Sequence, residues 1–470
     1  MRRAWAYARL ISDRQLFAFT MLWVVAGGLA LQLMVLPYLL PDLHWGHGLI
    51  AGLDWTSFHG IAVAQAGRIT ADGWTAWEIR PGGQFPAGLA SVLYVLVTPE
   101  PWVILPVNGL LFATTVVAVR RLLEVTFGSR SAATIGLLPF FAYLSFVPIW
   151  GQIHKDVVSG AGFGLVVMAL VAARSKAAST AVAVLVMMSV MGMTMLWLVR
   201  PYAVFLVAGA TIVYFVMTIS GSSCNRRRLS VVSAAVVACA CLSLLAPDSN
   251  KGFELVREVP RTMPSNPTEV TLLPMSRWFP RTRRLDPSVL ANDRAFTYVA
   301  CAPSPTSASD VVDRLLFSAC LYREGFRISG EDAGSNHDYD IQMRIPGDYI
   351  AYIPRAMQLA VLEPGPARWR TEQSRIGKLA TLFVPVEMLM AYGAFAAALL
   401  IARRQLFRVD VLAIIACCMT YIAFFVYTTP NMGTVYRMRA YPFAMIVSVA
   451  LAATLARFEQ AEPRRSRKGE

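Results

Sequence analysis

Long apolar runs separated by short basic segments set the pattern of this chain. A transmembrane helix needs about 20 apolar residues, and ten stretches meet that measure: 15–40, 103–119, 131–150, 157–173, 180–199, 202–219, 231–245, 380–402, 411–427 and 440–455. A further apolar piece, 87–97, is too short to cross and is followed at once by Pro99 and Pro101. It reads as a juxtamembrane or re-entrant helix. The predicted fold class is therefore an all-α polytopic membrane protein of about ten spans, with one long polar insertion of mixed structure late in the chain.

Basic residues orient the spans. With the N-terminus inside, the cytoplasm receives Arg2, Arg3, Arg9 and Arg14, then Arg120, Arg121 and Arg130, then Arg174 and Lys176. It also receives Arg226, Arg227 and Arg228, then Arg403, Arg404 and Arg408, and the tail from Arg457 to Lys468. All basic clusters between closely spaced spans thus fall on one side, as positive-inside topology requires. An eleven-span count would export the clusters between 120 and 228, so ten is preferred. The domains follow: a membrane core over 1–246 with a first periplasmic loop at 41–102, a periplasmic insertion at 247–376, C-terminal spans at 377–457 and a basic cytoplasmic tail at 458–470.

Composition agrees with this class. Of 470 residues, 56% are hydrophobic and 15% charged, and the formal charge is +14. The basic excess lies in the short loops, so it reports topology and anionic headgroups rather than nucleic acid. The basic segment 1–14 leads into a run longer than a signal-peptide core and is expected to stay as an anchor.

The same topology gathers polar chemistry on the outer face. Asp54 stands in the first loop among Trp55, Phe58, His59, Arg68, Trp74, Trp77, Glu78 and Arg80. His154, Lys155 and Asp156 precede one span, Arg200 and Pro201 another, and Tyr436, Arg437 and Arg439 the last. All five histidines, His44, His47, His59, His154 and His337, fall outside. An ionisable residue at a bilayer boundary is a site hypothesis by default, and helix N-termini beside basic side chains favour phosphate. Each group also has a plainer reading. Asp54 suits a helix cap, Lys155 and Asp156 an interfacial ion pair, and Arg200, Arg437 and Arg439 snorkelling to headgroups. His44, His47 and His59 are either metal ligands or interfacial histidines, and Glu387, inside a span, should face the bundle interior, paired with an arginine.

The insertion is proline-rich, with a loop at 302–310 and a helix at 311–324 that carries Val312, Leu315, Leu316, Cys320 and Leu321 on one face. Its return, 349–363, reads as a helix on the membrane with Ile353, Met357, Ala360 and Val361 toward lipid and Arg355 toward water. The sequence leaves a Cys301–Cys320 bridge open. Cys224, Cys239, Cys241, Cys417 and Cys418 read as apolar filler.

Four short motifs carry a family resemblance: Gly52-Leu53-Asp54-Trp55, Gln84-Phe85-Pro86-Ala87-Gly88, His154-Lys155-Asp156, and Tyr436-Arg437-Met438-Arg439-Ala440-Tyr441-Pro442. Their order over the spans resembles the GT-C superfamily of polyprenyl-phosphate-sugar glycosyltransferases, which includes protein O-mannosyltransferases and the aminoarabinose transferases of lipid A. The resemblance implies a GT-C-like fold in a bacterial inner membrane, with the site facing the periplasm. It implies a polyprenyl-phosphate-linked sugar donor and a glycan, lipid or protein acceptor. Asp54 becomes the base, Asp156 a second acidic residue, and Lys155, Arg200, Arg437 and Arg439 the phosphate contacts. His59, Glu78, Arg80 and His154 become acceptor-side or supporting groups. A divalent ion, Mg or Mn, is left open as cofactor, and no metal ligands are assigned. The chain departs from the family in lacking an Asp-Glu pair in the first loop, a Trp-Trp-Asp motif and a tandem Glu-Lys-Pro-Pro, with Glu78 near Pro81 as a loose substitute. Two other readings stay open: a polysaccharide polymerase or O-antigen ligase, and a transporter or flippase, for which an inverted repeat would be expected.

Overall fold

The computed structural model describes residues 2–51, 53–176, 180–221, 224–243, 319–320, 323, 336–338, 341, 343, 346–369 and 375–466. The loop expected at 302–310, most of the helix expected at 311–324, and Cys301 lie outside these residues. Cys320 is disulfide-bonded, and Cys224, Cys239, Cys241, Cys417 and Cys418 are free thiols. The chain forms two compact units. The first comprises Met1–Ala240, Ser374–Tyr421 and Ala440–Glu470, and the second Cys241–Gln373 and Ile422–Arg439.

Among the described residues, eight helices are long and apolar enough to cross a membrane: Asp13–Leu39, Pro101–Phe127, Lys155–Arg174, Val182–Val199, Pro201–Thr218, Phe383–Ile401, Val409–Thr428 and Ala440–Gln460. The protein is accordingly a helical, multi-pass membrane protein. Each of the eight coincides with an expected span. Of the other two, the stretch at 231–245 falls in a helix, Arg226–Ser243, whose described part opens on three arginines. The stretch at 131–150 is a correction, described below.

In chain order the first unit opens with α1 (Arg2–Leu10) and α2 (Asp13–Ala30), which continues as a π-helix over Leu31–Leu39. Ser12 and Gln15 form a reciprocal capping box at its start, Gln15 N–H to Ser12 Oγ at 3.1 Å and Ser12 N–H to Gln15 Oε1 at 2.8 Å. A two-stranded hairpin follows, β1 (His44–Gly46) and β2 (Leu49–Ile50), then α3 (Leu53–Asp72) and α4 (Phe85–Leu96). At 12 residues α4 is the short apolar helix expected at 87–97. Next come α5 (Leu105–Phe127), three short helices α6 (Arg130–Gly136), α7 (Leu138–Ala142) and α8 (Phe146–Trp150), then α9 (Lys155–Arg174), α10 (Val182–Val199), α11 (Pro201–Thr218) and α12 (Arg226–Ser243).

Proline explains why 131–150 is not one helix. Pro139 and Pro148 each lack the N–H that a continuous helix would use and collide with the carbonyl four residues back. The break at Ser145 leaves a part-buried backbone N–H, and Glu387, 1% exposed, accepts it at 2.7 Å. That is what a carboxylate within a span does here. The three pieces still run the length of α5 in the opposite sense. Arg130 donates to Ile11 O at 2.8 Å beside Arg120, near the C-terminal end of α5. Trp150 O and Gln152 O, at the other extreme, both accept from Asn108 near the start of α5 at 2.8 Å.

The innermost helix is α9, buried along nearly its whole length. It crosses α10 at a glycine pair: a Cβ on Gly162 would lie 2.6 Å from Gly192 O, and one on Gly192 would lie 2.6 Å from Gly162 O. Small residues that let backbones touch are the usual means of packing helices in lipid, where burial of apolar surface gives little. At the opposite end from Asn108, fully buried Arg120 pairs with Asp13.

Further on are α13 (Pro346–Ala351), α14 (Ile353–Val361), α15 (Arg375–Ile401), α16 (Arg403–Leu406), α17 (Val409–Thr428), α18 (Met432–Met438) and α19 (Ala440–Ser466). Within the second unit, Ile353 and Met357 on α14 are exposed, as expected, but Ala360 is buried at 2%. Arg355 is not turned to water alone. It grips the Asp338 carboxylate with two bonds of 2.8 Å, which Tyr352 joins with its hydroxyl at 2.7 Å.

Substituting Leu for Gly192 should force α9 and α10 apart and cost about 1–3 kcal/mol or more; a thermal melt in detergent reads this as a clear fall in Tm, and an unchanged melt would contradict the contact. The Asp338 clasp supplies a pH dependence. Burial alone would raise its carboxyl, but the Arg355 and Tyr352 bonds outweigh that and hold it below the usual carboxylate value. The group thus stabilises the fold fully above the unfolded carboxyl's pKa of about 3.9 and loses that contribution as pH falls through the lowered folded value. Hydrogen exchange in α14 should accelerate on acidification below about pH 4, and this acid response should be absent in Asp338→Asn.

Candidate functional site

The first unit brings four of the sequence-predicted residues into one line. His154 sits in extended conformation immediately before α9 and caps it, its Nδ1 accepting the Asp156 N–H at 3.1 Å. With that nitrogen acting as acceptor, the neutral ring carries its proton on Nε2. Nε2 faces the Asp54 carboxylate at 4.0 Å, in the first turn of α3. This exceeds a hydrogen bond but keeps the N–H dipole on the carboxylate. On the other side of the imidazole, Asp156 Oδ2 lies 3.2 Å from Nδ1, and Asp156 Oδ1 accepts from Arg200.

Exposure grades along the line. The side chains of Arg200, Asp156 and His154 are 2%, 4% and 0% exposed, and that of Asp54 is 31% exposed. Arg200 lies between α10 and α11, where Pro201 begins α11 with its ring in the first turn, the position at which a missing N–H costs nothing. Burial works against the Arg200 charge, but Asp156 and, further off, Asp54 outweigh it and raise its pKa. Its other terminal nitrogen donates to Tyr202 Oη at 3.5 Å. Arg200 is thus paired within the site. Lys155, partly exposed in the first turn of α9, places its ammonium 5.7 Å from the Phe58 ring centroid.

A polar tie sets the two carboxylate-bearing helix starts in register. Gln152 donates to Gly48 O at 3.1 Å and accepts from Ile50 N–H at 3.3 Å, gripping the hairpin that leads into α3. Gln32, in the π-helical part of the first span, donates to Gly151 O at 2.7 Å. Gly48, at φ +69, presses on Gln32 so closely that a Cβ there would lie 2.6 Å from Gln32 Cβ. Trp55 Nε1 then donates to Ile50 O, and its ring stands 5.7 Å from that of His154. None of these amides was singled out in the sequence. The available signal was a lone glutamine in an otherwise apolar span at 32, and another two residues before His154.

The other sequence-predicted residues have partners outside this line. His59 is buried beside Tyr94, its Nδ1 2.7 Å from the hydroxyl. Glu78 pairs with Arg68 at 3.1 Å, and Arg68 is 14 residues, roughly 21 Å of helix, along α3 from Asp54. Arg80 stacks over Trp197 at 5.5 Å near the end of α10. Arg437 and Arg439 belong to the second unit. Arg439, fully buried, donates to Leu359 O and Ala360 O at 2.6 Å and to Glu363 O. It satisfies the last carbonyls of α14, which carry the negative end of the helix dipole.

No protein-family model matches the chain, and no curated protein or solved structure matches it.

Replacing Gln152 with leucine keeps the volume but leaves Gly48 O and Ile50 N–H unpaired, at about 1–3 kcal/mol each if they stay buried. The hairpin 44–50 should lose protection in hydrogen exchange while α9 and α10 keep theirs; equal protection in variant and wild type would show that the tie holds nothing.

Proposed function

We propose that the protein is a membrane glycosyltransferase that moves a sugar from a polyprenyl-phosphate-linked donor to a cell-envelope glycan, lipid or protein on the periplasmic face of a bacterial inner membrane. The observation that carries this reading is the accessible Asp54 carboxylate, backed by the buried His154–Asp156–Arg200 series and flanked by Lys155 at the start of α9.

In this reaction the acceptor hydroxyl gives its proton to Asp54 as its oxygen bonds to the anomeric carbon of the donor. The bond from that carbon to the phosphate oxygen breaks, and the phosphate leaves with the electron pair. A positioned base contributes about 10²–10⁴-fold. The departing phosphate is met by the Lys155 ammonium. His154, held by the α9 backbone, keeps its Nε2–H toward Asp54 and orients the carboxylate; the Asp156 N–H fixes the imidazole from behind, and Arg200 holds the Asp156 carboxylate. Arg200 serves this positioning role in place of direct phosphate binding.

Ten crossings accompany this reading. α5 carries the chain away from the Asp54 end, and α9 starts at it, since His154 lies 4.0 Å from Asp54. In this reading the broken segment α6–α8 returns the chain across the membrane, and α12 supplies the remaining crossing. Asp54, His154 and Arg200 then share one side. The Cys320 disulfide favours an oxidising compartment for the insertion.

Asp54→Asn should lower sugar transfer by about 10²-fold or more while the protein stays folded in the membrane. Mass spectrometry of envelope glycans from cells with the wild-type gene, the variant and neither reads acceptor, sugar and activity together. Undiminished product in the variant would remove Asp54 from the chemistry, and identical glycans in all three strains would remove the glycosyltransferase reading.

A further inference from the structure

Two imidazoles near the Asp54 end are arranged in a way that the sugar transfer does not use. His47 stands in the hairpin turn and His59 on α3, with ring centroids 5.2 Å apart and planes inclined by 39°. In both rings Nδ1 is held by an oxygen. Glu100 takes that of His47 at 3.1 and 3.3 Å, and the Tyr94 hydroxyl takes that of His59 at 2.7 Å. Among the described residues no hydrogen bond or ion pair engages Nε2 of either ring. His44, three positions before His47, is committed differently: its Nε2 accepts the Gly48 N–H at 3.0 Å.

An imidazole oriented through one nitrogen by a carboxylate or hydroxyl, with the other nitrogen presented, is the usual arrangement of a metal ligand. The spacing fits as well. A tetrahedral ion held by two Nε2 atoms at 2.0–2.1 Å, each about 1.1 Å from its ring centre, would set the centroids about 5.2 Å apart. We infer that His47 and His59 are the protein half of a binding site for a divalent transition ion of the Zn²⁺ class, with Glu100 and Tyr94 as the groups that aim them. Imidazole nitrogen suits such an ion better than Mg²⁺, which prefers oxygen. Among the described residues no three His, Cys, Asp or Glu side chains converge on a metal position, so the remaining coordination positions belong to water or to an oxygen of a bound molecule. An ion here would clip the hairpin to α3 about one and a half turns beyond Asp54.

The test uses the full chain, purified through an affinity tag without histidines and held in lipid nanodiscs. Co²⁺ is titrated in while its visible d–d absorption is followed, and Zn²⁺ is then added to displace it. One equivalent of Co²⁺ should bind with a tetrahedral spectrum and be displaced by Zn²⁺. His47→Ala, in an exposed turn where folding is not at stake, should abolish the band, and so should His59→Ala. Glu100→Gln and Tyr94→Phe should each weaken binding about 10–100-fold. A wild-type protein without the band, or one whose binding is unaffected by His47→Ala, would overturn the site. The readout is bound metal, so the result is independent of whether the protein transfers sugar.

Discussion

Asp156 and Arg200 could not occupy the bundle separately. Each is almost wholly withdrawn from solvent, and removing one partner of such a pair commonly costs about 3–5 kcal/mol because the other charge is left behind. The pair therefore acts as a constraint on the fold: the start of α9 and the junction between α10 and α11 must meet, and at one height. The Gly162–Gly192 crossing delivers the same two helices to the same register from further along. Charge pairing and close backbone packing thus specify a single arrangement, which neither would do as strictly alone.

Rigidity at this point passes to the accessible carboxylate through short links. The α9 backbone selects the His154 tautomer, and that tautomer turns an N–H toward Asp54. Gln152, two residues before His154, grips the hairpin that leads into α3, so the loops bearing the two groups cannot shift independently. Gln32 brings the first span into the same tie. The π-helical stretch that carries it, Leu31–Leu39, is a departure from regular helix of the kind often kept where a side chain has to be aimed.

Much of this was legible in the residues. Apolar length located eight of the ten expected spans, because lipid leaves a backbone no alternative to internal hydrogen bonding. The run at 131–150 misled on length alone: Pro139 and Pro148 were the contrary signal, outweighed by an apolar count. Asp54, His154, Asp156 and Arg200 were identifiable as charged groups at span ends, but their sequence separation hid that they form a line. The same reasoning treated Arg200 and Arg439 as similar phosphate contacts. Their actual partners, a buried carboxylate in one case and helix-end carbonyls in the other, depend on tertiary packing that periodicity does not encode. The glutamines were hardest to see, since a neutral amide attracts no notice until the carbonyl it must satisfy is known.

Glu387 shows how the departures from regular helix and the buried charges belong to one economy of hydrogen bonds. Interrupting a helix at two prolines leaves backbone donors without their helical acceptors, and a donor left unsatisfied within an apolar bundle is costly. A carboxylate inside a span is equally unfavourable by itself. Put together at Ser145, each answers the other's deficit, and the bundle gains a bend that no continuous helix could make. The bend brings the chain to Trp150 and hence to Gln152 and His154, so the irregular segment is what places the imidazole within reach of Asp54.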